Sequence, residues 1–119
     1  MAASASITIA GTISNVPTGS KQIGPLTVTS AAANGYAQQI VLQSGDNTIT
    51  VLSTPAPSGV IVQFPSDNTA TNKYGGSSGT ELTKTGFFML CFNTASLPTT
   101  FVLNSSATQT AKITEIQFF

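Results

Sequence analysis

Histidine, tryptophan and arginine are absent from the chain, and cysteine occurs once, at Cys91. Each absence removes a class of function. Without histidine, the commonest general base and the commonest metal ligand are both missing. Without arginine, and with a formal net charge of zero, there is no positive surface to track a nucleic-acid backbone. One cysteine makes neither an internal disulfide nor a zinc cluster, so the fold must stand on its core. Charge of either sign is scarce: four lysines and four acids amount to 7% of the residues, against about 25% in ordinary soluble domains. No apolar run approaches the roughly 20 residues of a membrane span. No basic stretch precedes Lys21, so the chain is expected to be made and used without export.

What remains is neutral and polar. Serine, threonine, asparagine and glutamine supply 47 of 119 residues. Yet 40% of the residues are hydrophobic, and they fall in alternating blocks that disordered chains lack. The period is two. Ile7, Ile9 and Ile13 alternate with Thr8, Ala10 and Thr12, and Leu26 and Val28 with Thr27 and Thr29. Ile40 and Leu42 follow Tyr36, Gly45-Asp46-Asn47 reads as a turn, and Ile49 and Val51 alternate with threonine. Val60, Val62 and Phe64 end at Pro65, and Phe101–Leu103 and Ile113–Phe118 finish the chain. No helical stripe is present. The expectation is an all-β fold: one domain over 1–119, a jelly-roll-like antiparallel β-sandwich of about eight short strands.

Residues 40–50 and 61–71 share six of eleven identities, including Asp46-Asn47-Thr48 and Asp67-Asn68-Thr69. Matched calcium or sugar ligands would be one reading. One aspartate per loop supplies too few oxygens for a dedicated calcium site, so turn capping is preferred. A long loop is expected at about 65–80, and it carries Lys73-Tyr74 just before Gly75-Gly76-Ser77-Ser78-Gly79. Tyr74 serves equally well as an interface contact or as a ring folded back on its own sheet.

Catalysis is not expected. No base exists to activate a serine or threonine, and the acids Asp46, Asp67, Glu81 and Glu115 each stand alone. The glycine-rich run lacks the lysine and helix of a phosphate loop. No metal site and no cofactor are expected. The apolar run Phe87-Phe88-Met89-Leu90-Cys91-Phe92 has large side chains on both strand faces, with Cys91 as a small buried hydrophobe. In a two-layer sandwich one of those faces needs a second cover, from the chain itself or from a neighbouring subunit. Phe88, Leu90 and Phe92, with Lys73 and Tyr74, are therefore the candidate interface residues.

The progression Ile23-Gly24-Pro25-Leu26-Thr27-Val28-Thr29, then Gly45–Val51, Ser58–Val62 and Ile113–Phe118, resembles small accessory structural proteins of tailed bacteriophages. The similarity spans most of the chain in generic turn and strand words. The resemblance implies a non-enzymatic virion protein, assembled in the host cytoplasm. It would decorate or cement a capsid or occupy a head–tail junction, bound to the major capsid protein or other virion proteins. It also implies a homo-oligomer, with a trimer favoured, and no nucleic-acid or membrane partner. A carbohydrate- or receptor-binding module of a tail or fibre is the alternative, weakened by the absence of tryptophan and by only two tyrosines.

Overall fold

The structure is a computed structural model that describes residues 5–16, 19–30, 37–54 and 56–119; Tyr36, read from the sequence as the start of a strand, lies outside them. Ten strands and no helix are found among the described residues. They are β1 (Ala5–Val16), β2 (Gly19–Ser30), β3 (Ala37–Ile40), β4 (Gly45–Thr50), β5 (Gly59–Gln63), β6 (Asn72–Tyr74), β7 (Thr80–Glu81), β8 (Phe87–Cys91), β9 (Thr100–Ser105) and β10 (Thr114–Phe118).

Eight of them build a two-layer sandwich. One sheet has the order β3-β10-β5-β8 and the other β4-β9-β6-β7, every pairing antiparallel. The pairs β3–β10, β4–β9, β5–β8 and β6–β7 are successive rungs of one long ribbon. Rolling that ribbon sends alternate rungs into alternate sheets, and the β10–β5 and β6–β9 pairings close them. This strand order is a jelly roll, so the fold class read from the sequence holds.

The alternation does the folding. In β10, Thr114, Ile116 and Phe118 are buried while Glu115 and Gln117 face out. In β9, Phe101, Leu103 and Ser105 point inward. Val60 and Val62 of β5 are fully buried opposite them. Each such side chain contributes about 1.5–3 kcal/mol on burial. A chain of rings ties the layers together: Phe64 to Phe88 at 6.0 Å, Phe88 to Tyr74 at 6.0 Å, Tyr74 to Phe101 and Phe101 to Phe118 at 6.3 Å each. These centroid separations lie in the favourable range for aromatic pairs.

β1 and β2 form a sheet of their own, although the sequence offers them as sandwich strands. No described strand of the sandwich comes within 8 Å, Cα to Cα, of either one. Twelve residues of strand span about 40 Å, and the molecule measures 43 × 43 × 25 Å. Its radius of gyration, 16.0 Å, exceeds the roughly 13.5 Å of a compact chain of this length. The hairpin is an arm. Its register carries Ile7 opposite Val28, Ile9 opposite Leu26 and Gly11 opposite Ile23. Between the last two pairs β2 spends one residue more than β1, at Gly24-Pro25. Gly24 has φ +74°, and a Cβ there would meet the Leu26 backbone nitrogen at 2.7 Å, so this bulge requires glycine.

The expected loop at 65–80 is divided by β6. Its order comes from inside the domain. Lys73 pairs with Asn104 on one side and Glu81 on the other. The Gly75 amide donates to Val102 O at 2.9 Å, and the Lys73 ammonium closes the glycine turn on Ser77 O at 3.0 Å.

Candidate interaction surfaces

The arm has two unlike faces. Strand alternation, carried through the bulge, puts Ile7, Ile9 and Ile13 with Val28, Leu26 and Ile23 on one side. Ser6, Thr8, Thr12, Gln22, Thr27 and Thr29 occupy the other, where the Thr8 and Thr27 hydroxyls meet at 3.0 Å. On the apolar side Ile9, Ile13 and Ile23 are 38–44% exposed and Leu26 is 61% exposed. Four of the seven exposed large hydrophobics of the described chain therefore lie on one face of one hairpin. That concentration distinguishes a surface built to be covered from the scattered apolar residues of any protein.

A second apolar surface lies on the sandwich. β8 is an edge strand with Phe88 opposite Val62 and Leu90 opposite Val60. The two valines are fully buried, so this register turns Phe88 and Leu90 inward, and Phe92 packs on the same core. The face offered by the sequence as an interface is thus covered by the domain. The alternate residues look outward: Phe87, 64% exposed, Met89, half-buried, and Cys91, exposed, with half-buried Ile61 beside Met89 on β5. The patch stops at β10, where Glu115 and Gln117 face the same way beside Gln63 and Ile61. Phe88, Leu90 and Phe92 are half-buried on this core, and because both sides of β8 are apolar in the sequence only the register tells them apart.

Tyr74 is half-buried in the ring chain, and Lys73 beside it is half-buried with its ammonium on Ser77 O. The structure does not bring Lys73 and Tyr74 together with the outer face of β8.

Buried amides hold the loops. Asn72 is fully buried; its Nδ2 donates to Thr83 O and Lys84 O at 3.3 Å, and its Oδ1 accepts from Gln109 Nε2 at 2.9 Å. Gln109 Nε2 also donates to Ser105 Oγ at 3.0 Å, and Asn68 Nδ2 to Lys84 O at 2.8 Å. The internal repeat has the same explanation. Asn47 Oδ1 accepts from the Gln43 amide at 2.9 Å, and Asn68 Oδ1 from the Ala70 amide at 3.0 Å. The asparagines of the repeat, more than its aspartates, cap the two turns. Asp46 accepts from Asn104 Nδ2 at 2.7 Å.

Among the described residues no three His, Cys, Asp or Glu side chains gather as a metal site would need. An open cleft of about 260 Å³ lies between Phe64, Pro65, Ile113 and Glu115. It falls below the roughly 300–1,000 Å³ of ligand pockets, and its carboxylate is already held by Gln39 at 3.3 Å. The chain matches no family model, no curated protein and no solved structure.

Proposed function

We propose that this chain is a non-enzymatic virion structural protein, a decoration or cement subunit of a tailed phage that binds the capsid exterior. The observation that carries the reading is the arm: a β-ribbon about 40 Å long with a single charge, Lys21, and with Ile9, Ile13, Ile23 and Leu26 exposed on one side. A two-stranded hairpin is marginal alone in water, so such an arm belongs to a protein whose working state is an assembly. The near absence of charge fits the same state, since it provides little repulsion between free copies. A jelly roll is a common choice for capsid proteins, although the fold also serves lectins and gives only analogy.

The mechanism is mechanical. Each copy buries apolar and neutral polar surface across shell-subunit boundaries, at about 25 cal/mol per Å² before ordering and association costs. The partners are the major capsid protein or other virion proteins, and further copies of this chain, a trimer favoured. The test is co-sedimentation of the purified chain with phage particles that lack it. Saturable binding and a higher melting temperature of the decorated shell are expected. Particles that pellet without the chain at micromolar concentration refute the reading.

A further inference from the structure

We infer that the apolar face of the β1–β2 arm docks on the outer face of β8 and β5 of a second copy, linking copies head to tail into a closed ring. Among the described residues two apolar surfaces stand exposed, and no strand of the sandwich pairs with the arm. One intermolecular contact covers both.

The surfaces match in length and shape. The arm's apolar face runs from Ile7 to Ile13, about 20 Å, and the five residues of β8 span about 17 Å. Both are sheet faces, which stack about 10 Å apart with interdigitating side chains. The outer face of β8 and β5 carries no charge, and the one charge the register sets on the apolar side of the arm is Lys21, opposite Ile13 towards the hairpin tip, so the centre of the contact around Ile9, Leu26 and Ile23 is apolar with the ion at its end. The polar boundary at Glu115 and Gln117 confines the footprint to the β8 edge, the width of a two-stranded ribbon.

Area requires that each copy both give its arm and receive one, in a ring of two copies or more. The exposed fractions of Ile9, Ile13, Ile23 and Leu26 leave on the order of 400 Å² of apolar surface on the arm. That is about half of the roughly 800 Å² per partner in a stable complex. A copy that both gives its arm and receives one makes two such contacts and reaches that scale. Two different patches on one chain make a heterologous contact, which a rotation axis closes into a ring.

The experiment uses the purified full chain alone, so its outcome is independent of capsid binding: a ring without shell affinity would overturn only the virion reading, and a shell-binding monomer only this one. Light scattering behind gel filtration should give a discrete oligomer. Leu26→Ser on the arm and Phe87→Ser on the patch should each weaken association about tenfold or more. Both residues are largely exposed, so the thermal melt should hold. Mixing the two variants restores one intact arm facing one intact patch, so the mixture should associate more tightly than either variant alone and less tightly than the parent. Cys91 then reads the contact directly: Leu26→Cys, oxidised with copper phenanthroline, should give covalent multimers. Thr27→Cys on the hydroxyl face, and Leu26→Cys combined with Cys91→Ser, should not. A monomeric parent overturns the inference. So does an oligomer that Leu26→Ser dissolves and Phe87→Ser leaves intact, because that result belongs to arms packing on arms.

Discussion

Replacing Asn72 by alanine tests whether the segment before the glycine turn is held by the domain itself. Asn72 is fully buried and joins three stretches of chain: Thr83–Lys84 through its amide nitrogen and Gln109 through its amide oxygen. The 2.9 Å bond from Gln109 contributes about 1 kcal/mol, and the two 3.3 Å bonds share one amide group and together contribute about as much again. Truncation does more than delete them. Gln109 Nε2 keeps Ser105 Oγ, and Lys84 O keeps Asn68 Nδ2, but the second amide hydrogen of Gln109 is stranded in the interior. Its desolvation, with a void of three heavy atoms, brings the loss to about 3 kcal/mol. For a domain of this size the melting temperature should fall by roughly 10 °C. Circular dichroism measures that shift. Hydrogen exchange at Leu82, whose amide donates to Asn72 O at 2.8 Å, reports whether β6 loosens first. Ser78→Ala, exposed on the same turn, is the control and should change stability by less than about 0.5 kcal/mol. A loss below about 1 kcal/mol for Asn72→Ala would refute the argument, because these bonds would then not be what orders the segment.

Thr114→Val should act in the opposite direction. The Thr114 hydroxyl is fully buried with no hydrogen-bond partner, so a near-isosteric methyl should raise stability by about 1 kcal/mol, and a lower melting temperature would show that the hydroxyl is satisfied. Stability should also be nearly flat between about pH 5 and 8, because histidine is absent and every buried polar side chain is an amide or a hydroxyl. Melts across that range that differ by more than about 5 °C would contradict it.

The fold was legible because its core strands obey one simple rule. Ile49 between Thr48 and Thr50, and Ile116 between Glu115 and Gln117, are buried where the alternation puts them, and Val60, Val62, Leu103 and Phe118 keep the same period of two. Alternation identifies a face that must be covered. It does not say what covers it. That is why β1 and β2 read as sandwich strands, although they pair only with each other and leave Ile9, Ile13, Ile23 and Leu26 exposed. The same limit applies at β8, where Phe87-Phe88-Met89-Leu90 is apolar on both sides. Only the pairing of Phe88 with Val62, a non-local fact of register, decides which side is inside. β6 was hidden for a different reason. Asn-Lys-Tyr has no apolar alternation, and its strand is specified by side-chain amides reaching backbone carbonyls far along the chain.

The same economy of charge shapes both the interior and the open surfaces. Loops that many proteins would tie with ion pairs are tied here by asparagine and glutamine, which need no counter-ion. An exposed ion pair gains little and is screened by salt, whereas an amide bonded to buried carbonyls is not. Carried to the arm, this chemistry leaves one face hydroxylated and the other aliphatic, with no described side chain to repel a second neutral sheet. Charges guard exposed edge strands against association, and the register gives this side of the arm a single one, Lys21 opposite Ile13, beside four exposed aliphatic side chains. The physical demand for an occupant is therefore already present in the isolated chain, whichever neighbours it meets.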